Sequence, residues 1–173
     1  MDKLLERFKA LSIGEKIIII AGAVLFIDGF LPWYSVSASA EILGERISAN
    51  WSANGWESPG AIWSLLAILI GLAMSGVVAV KALTEGVIPE NVGGFTWPKI
   101  LLGGGAAALL LVVIKFLNES SELGFGFYLG FIAAAALAAG GFLMYREESA
   151  AGSSGSPSGP PPGPPPGPPP GPA

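Results

Sequence analysis

The chain has 173 residues, of which 51% are apolar and only 13% are charged. This composition is typical of a protein whose solvent is mostly hydrocarbon. The absence of Cys and His excludes disulfides, Cys/His zinc sites and Ser-His-Asp triads, and a net charge of −4 argues against a nucleic-acid partner. We therefore expect a membrane protein with no catalytic, cofactor or metal site.

Residues 1–12, "MDKLLERFKALS", predict a short amphipathic helix. Its apolar face carries Leu4, Leu5, Phe8 and Leu11, with most of the charged residues opposite. Such a helix is typical of a segment that lies in the membrane interface. A plain basic N-terminus that only sets the orientation of the chain is the alternative.

Four apolar segments follow, and each is long enough to cross a bilayer, which takes about 20 helical residues. They cover residues 13–34, 60–83, 98–117 and 123–145. Helix-start signals precede three of them: a capping box at Ser12 and Glu15, Ser58-Pro59, and Trp97-Pro98. The sequence therefore predicts an all-α membrane protein, with a four-helix transmembrane bundle over residues 13–146.

The first segment ends in Leu-Pro-Trp-Tyr rather than in a small-x-small cleavage site, so we expect it to be retained and not removed as a signal peptide. Trp33 and Tyr34 would then belong to an aromatic belt at the outer membrane surface.

Basic residues concentrate on one side of the predicted spans. They are Lys3, Arg7, Lys9, Lys16, Lys81, Lys99 and Arg146, whereas the opposite side has Arg46 in a loop and Lys115 near a span end. The positive-inside rule places both termini in the cytoplasm and the chain in the cell membrane as a multi-pass protein.

The outer loop, residues 35–59, alternates apolar and polar residues on both sides of Gly44-Glu45, which predicts an extracytoplasmic β-hairpin with a type II′ turn there. The predicted register pairs Ile42 with Ile47, Ala40 with Ala49, and Ala38 with Trp51. All the apolar side chains then share one face, which we expect to pack on the helix ends or on a partner because an isolated hairpin is marginally stable.

Trp51, Trp56 and Glu57 form a candidate interaction surface in this loop. The alternative is that the hairpin is only a lid over the helices.

Small residues recur at four-residue spacing along the later spans, which lets helix backbones approach closely in lipid. The predicted packing ridges include Gly71 and Ser75 in the second span, Gly103 and Ala107 in the third, and Gly126 and Gly130 in the fourth. Packing within the chain is one interpretation, and homo-oligomerisation is the other.

Asp28 and Lys115 are ionisable residues predicted in the outer half of the membrane. Because a charge there is costly, the two are predicted to form an interhelical ion pair. Either the pair is structural, or it gates or relays a proton or an ion.

Residues 147–173 end in "GPPPGPPPGPPPGPA", whose glycines recur every four residues and so exclude a collagen triple helix. The segment is predicted to be a disordered cytoplasmic tail rich in polyproline II. It is either a ligand for a partner that binds polyproline II or a spacer.

The four spans, the "LPWYS" and "NGWESPG" segments and the Pro/Gly-rich tail resemble small four-helix membrane proteins of unknown function from bacteria, particularly actinobacteria. The layout is also similar to that of claudins, although the paired cysteines of that family are absent. Neither resemblance implies a catalytic residue.

The sequence thus predicts an interaction or scaffold protein and not an enzyme. Its partners would be the lipid bilayer and either a membrane protein or a second copy of the chain. The alternative is a small transporter or channel-like subunit that uses Asp28 and Lys115.

Overall fold

The structure, a computed structural model, describes residues 2–42, 45–57, 60–84, 87–89, 91–120 and 122–153. In chain order the elements are α1 (Asp2–Ala10), α2 (Ile13–Asp28), β1 (Pro32–Ile42), β2 (Glu45–Asn54), α3 (Ala61–Leu83), β3 (Asn91–Val92), β4 (Phe95–Thr96), α4 (Trp97–Asn118) and α5 (Phe125–Ser153). The chain is mostly helical, and α3, α4 and α5 are long and apolar enough to cross a membrane.

The first apolar segment is a shorter helix than predicted. Helix α2 ends at Asp28 after 16 residues, about 24 Å at the usual helical rise. The amide of Leu31 donates to the carbonyl of Asp28 at 2.8 Å in a turn, and β1 begins at Pro32. A proline disfavours helical backbone in the residue before it, which explains why the helix does not continue to residue 34.

The predicted helix starts have different outcomes. The capping box at α2 is confirmed, because the amide of Ser12 donates to Glu15 Oε2 at 2.8 Å and the amide of Glu15 donates to Ser12 Oγ at 3.3 Å. Pro98 lies in the first turn of α4, as predicted. Ser58-Pro59 lies outside the described residues, and α3 is capped by Gly60 in the left-handed conformation, with φ of 62°.

Helices α2 to α5 lie side by side, with α2 and α4 each packed against α3 and α5. Their buried faces meet in an apolar core that includes Ile18, Leu25, Ile68, Leu101 and Leu137. The outward faces are apolar as well, with exposed side chains such as Ile20, Leu69, Leu110 and Ile132. A helix that is apolar on all sides is typical of a membrane span.

Helix α5 continues beyond the predicted end at residue 145 to Ser153. The predicted tail therefore starts too early, because the Glu and Ala residues in 147–151 are good helix formers and no proline interrupts them. Residues 154–173 lie outside the described residues, so the disordered tail stays a prediction.

The hairpin of β1 and β2 forms with a different register. Val36 pairs with Trp51, Ala38 with Ala49, Ala40 with Ile47, and Ile42 with Glu45. The turn predicted at Gly44-Glu45 is wrong, since Glu45 belongs to β2. The apolar residues still share one face, because each partner moves by two positions and side chains alternate with a period of two.

Candidate functional site

Buried polar and aromatic side chains gather where α2 ends, β1 begins and α4 ends. We name Asp28, Trp33, Tyr34, Lys115 and Glu119 the polar cluster. Asp28, Trp33, Tyr34 and Lys115 are all buried, whereas Glu119 is partly exposed. The cluster joins the helices to the base of the hairpin.

Lys115 is the centre of this cluster, and its side chain is fully buried. Its Nζ lies 3.4 Å from the carbonyl oxygen of Gly60 and 4.0 Å from Glu119 Oε2. The ammonium also lies 5.2 Å from the ring centroid of Tyr34 and 5.8 Å from that of Trp33, within the range of cation–π attraction. Lys115 therefore connects α4 to the start of α3 and to β1.

Asp28 lies on the α5 side of the same indole. Trp33 Nε1 donates to the backbone carbonyl of Asp28 at 3.1 Å. A Cβ atom on Gly130 would lie 2.6 Å from both Asp28 Oδ2 and Trp33 Cζ2, so the glycine makes room for both side chains. Within the part of the chain that the structure describes, the carboxyl oxygens of Asp28 have no hydrogen-bond partner.

The predicted ion pair between Asp28 and Lys115 is therefore replaced by a different arrangement. Lys115 pairs with Glu119, one helical turn further along α4. The indole of Trp33, predicted at the membrane surface, is instead fully buried, donates to the backbone carbonyl of Asp28 and lies 5.8 Å from Lys115 Nζ. The four-residue spacing of Lys115 and Glu119 was the sequence signal for the observed pair.

Glu119 and Tyr34 complete the link between the helices and the hairpin. The hydroxyl of Tyr34 donates to the carbonyl of Glu119 at 3.3 Å. Burial, together with this hydrogen bond and the Glu119 carboxylate, raises the pKa of Tyr34 above its ordinary value, so the phenol stays neutral. Glu119 Oε1 would lie 2.8 Å from a Cβ on Gly60, which places the carboxylate at the positive N-terminus of α3.

Backbone hydrogen bonds fix the base of the hairpin. Gly124 donates to the carbonyl of Trp33 at 2.8 Å, and Ser35 donates to that of Glu122 at 3.0 Å. Directly after β2, the carbonyl of Gly55 accepts a hydrogen bond from Ser64 Oγ at 2.5 Å. The hairpin therefore rises from a base that is bonded to α3 and to the segment before α5.

The distal half of the hairpin is not covered by the helices. Tyr34 and Ala53 pair at the base and are buried, but on the same face further out Ile47 is 56% exposed and Trp51 is 54% exposed. The packing of this face on the helix ends, which the sequence predicts, is therefore limited to the base. Its distal part is an exposed apolar surface.

The three residues of the candidate interaction surface lie in different places. Trp51 is on the apolar face of β2, whereas Trp56 packs beside α2, with ring centroids 6.1 Å from Phe26 and 5.6 Å from Phe30. The carboxylate of Glu57 accepts a hydrogen bond from Asn54 Nδ2 at 3.3 Å. Trp51 is thus the member that belongs to the exposed hairpin face.

The small residues of the ridges contact other parts of the same chain. Ser75 Oγ donates to the carbonyl of Ile18 at 2.8 Å, and a Cβ on Gly71 would be 3.0 Å from Leu25 Cδ2. Gly126 and Gly130 both lie against the indole of Trp33. These four residues therefore pack within the monomer.

The ridge predicted on α4 lies two positions away from the observed contact glycine. A Cβ on Gly103 would have no heavy atom within 4 Å, whereas one on Gly105 would lie 2.7 Å from Ala138 Cα. Gly105 shares the buried face of α4 with Ala108, Val112 and Lys115. Gly105 is therefore the glycine that lets α4 and α5 approach closely.

Among the residues that the structure describes, no group of three or more His, Cys, Asp and Glu side chains could hold a metal ion.

Comparison of the chain with protein-family models, curated proteins and solved structures finds no match. The geometry of the hairpin and of the polar cluster is therefore the basis for assigning a function.

Proposed function

We propose that this chain is a multi-pass cell-membrane protein with a four-helix transmembrane bundle, and that it acts as an interaction or scaffold protein without catalytic activity. Helices α3, α4 and α5 are three of the spans, and α2 is the fourth. The packing of α2 between α3 and α5 supports this assignment. Its length of about 24 Å fits a bilayer that thins locally around it.

The positive-inside rule supports an orientation with both termini in the cytoplasm and the hairpin outside. Lys9, Lys16, Lys81, Lys99 and Arg146 all lie at the end of the helices opposite to the hairpin in this topology.

The exposed apolar face of the hairpin carries the proposed interaction. Three successive cross-strand pairs are apolar, whereas the other face presents Ser and Asn. Tryptophan is enriched at the centres of protein interfaces. The partner would be another membrane protein or a second copy of this chain.

Site-specific photo-crosslinking in native membranes tests this function. A crosslinker at Ala49 lies on the apolar face, and one at Asn50, the adjacent residue, lies on the opposite face as a matched control. We expect an adduct of one defined mass from position 49 only, lost in the Trp51→Ser variant. Equal adducts from both positions, or none from position 49, would contradict the proposal.

The same measurement on a chain that ends at Ser153 separates the hairpin from the proline-rich tail. An unchanged adduct at position 49 is expected, because the proposed contact lies outside the cell. An adduct with twice the mass of the chain would identify the partner as a second copy.

The transporter remains a second candidate because of one observation, the buried carboxyl of Asp28 with no hydrogen-bond partner among the described residues. Ionisable residues inside membranes often mark proton or ion pathways. Proton flux can be measured in liposomes that contain the purified protein. A flux that Asp28→Asn abolishes and Glu57→Gln preserves would favour the transporter over the scaffold function. The scaffold account expects no flux above that of empty liposomes.

A further inference from the structure

An apolar groove runs between α1, α2 and α3 at the end of the helices opposite to the hairpin. It has a volume of about 350 Å³. Its lining includes Arg7, Phe8, Leu11, Ile19, Ala79 and Leu83. Every lining residue except Arg7 is apolar, so the groove suits a hydrocarbon chain.

Arg7 is fixed at the rim of this groove by the end of α3. Its Nη1 donates to the carbonyl of Leu83 at 2.7 Å and lies 3.4 Å from that of Ala82. An arginine has five N–H donors, and these two contacts of Arg7 with described residues both use Nη1. The remaining donors form the planar fork that binds phosphate in a bidentate manner.

Other cations lie at the same end of the molecule. Lys9 is exposed on α1, and Lys16 Nζ donates to the carbonyl of Lys9 at 2.9 Å. Exposed Lys81 lies on α3 one residue before Ala82. On the acidic side, Glu6 is exposed on α1, whereas Glu15 accepts the capping hydrogen bond of Ser12. Among the described side chains of this rim, basic residues outnumber acidic ones, which favours an anion.

The groove is continuous with the surface that faces hydrocarbon. Ile20 and Val80, the neighbours of lining residues Ile19 and Ala79, are exposed on the outer faces of α2 and α3. Arg7 lies where α3 ends at Leu83, which in the proposed topology is where this helix leaves the hydrocarbon. The apolar part of the groove and its cationic rim are thus arranged in the same order as the acyl chain and the headgroup of a phospholipid.

We infer that this groove binds an anionic phospholipid, with an acyl chain against Phe8, Ile19 and Ala79 and its phosphate on Arg7. The inference rests on the membrane location in the proposed function and not on the hairpin. A peptide is a poorer occupant, because its backbone would need hydrogen bonds that an apolar lining does not supply. A free phosphate would leave the apolar lining unfilled.

Native mass spectrometry of the detergent-purified full chain tests this site. The probe is an equimolar mixture of dioleoyl phosphatidylglycerol and dioleoyl phosphatidylcholine. We expect one retained lipid, with phosphatidylglycerol preferred. Arg7→Gln should lower that preference about fivefold, the effect of one basic residue at an anionic surface. Arg146→Gln, a basic residue on α5 that does not line the groove, is the matched control and should leave the preference unchanged.

A second pair of variants tests the apolar part. Ala79→Phe fills the groove and should reduce retention of both lipids, whereas Val80→Phe, on the neighbouring outward face, should not. If Ala79→Phe fails to fold, Leu83→Asn makes the lining polar and should have the same effect on retention. Inorganic phosphate and glycerol phosphate should not displace the lipid.

The inference is overturned if wild-type protein retains both lipids equally, if Arg7→Gln and Arg146→Gln lose the preference equally, or if glycerol phosphate displaces the lipid. Protection of the groove by a co-purified protein that excludes lipid would also overturn it. Carbonate extraction of membranes separates this failure from that of the proposed function, since a chain released by carbonate would not be an integral membrane protein at all.

Discussion

Replacing Gly105 with alanine tests whether the close approach of α4 and α5 holds the helices together. The new Cβ would lie 2.7 Å from both Ala138 Cα and Leu137 O, and 2.8 Å from Ala138 N. All three atoms belong to the backbone of α5, so no change of rotamer can relieve the overlap. The two helices would have to separate by about 0.7 Å to restore ordinary contact.

Overpacking of this kind costs about 1–3 kcal/mol. The gain in helix propensity from glycine to alanine is about 1 kcal/mol at most. We therefore expect Gly105→Ala to lower the free energy of unfolding by up to about 2 kcal/mol.

The same helix supplies a matched control two residues earlier. Gly103 is exposed, and a Cβ there would meet no heavy atom within 4 Å. Gly103→Ala should leave stability unchanged or raise it by up to about 1 kcal/mol through reduced backbone entropy.

Unfolding by sodium dodecyl sulfate in mixed micelles, followed by tryptophan fluorescence, compares the two variants with the wild type. The midpoint should fall for Gly105→Ala and should not fall for Gly103→Ala. Equal midpoints for the two variants would refute the proposed contact between α4 and α5.

Three further substitutions test other parts of the account. Ser75→Ala removes the hydrogen bond to Ile18 and should lower the free energy of unfolding by about 1 kcal/mol in the same assay. Lys115→Met should lower the free energy of unfolding by about 2 kcal/mol, because its charged hydrogen bond and ion pair are lost. The control, exposed Lys99→Met, should change it by no more than about 0.5 kcal/mol. Equal losses in the two variants would contradict a structural role of the polar cluster. Trp51→Ser should leave the unfolding midpoint unchanged, since its side chain is more than half exposed, and a large loss of stability would show that the hairpin face is covered.

Local signals predicted the helices well. The capping box of Ser12 and Glu15, Pro98 in the first turn of α4 and the apolar length of α3 all depend on residues close together in the chain. The end of α2 was predicted six residues too late, because the count of apolar residues gave no weight to the restriction that Pro32 places on the residue before it.

Contacts between distant segments were harder to predict. The hairpin register differed by two positions, and an alternating pattern cannot distinguish registers that keep the same face. The packing ridge of α4 was predicted at Gly103 and Ala107, whereas Gly105 contacts α5, because all three glycines of "GGG" fit a close approach and only the orientation of α4 selects one.

The polar cluster shows why ion pairs are difficult to predict from depth alone. Asp28 and Lys115 were matched by their predicted level in the membrane, but the buried indole of Trp33 bonds to the backbone of Asp28 and lies within cation–π range of Lys115, which pairs with Glu119. Membrane depth specifies one coordinate of a side chain, and the packing of β1 against the helices decides the rest.

The central claim, that α2 crosses the membrane and places the hairpin opposite to α1, can be tested directly because the chain has no native cysteine. Single cysteines at Ala10 and Ser48 would be labelled in intact cells with a membrane-impermeant maleimide. The account predicts labelling at position 48 before lysis and at position 10 only after lysis. Labelling of both positions in intact cells would contradict the four-helix topology.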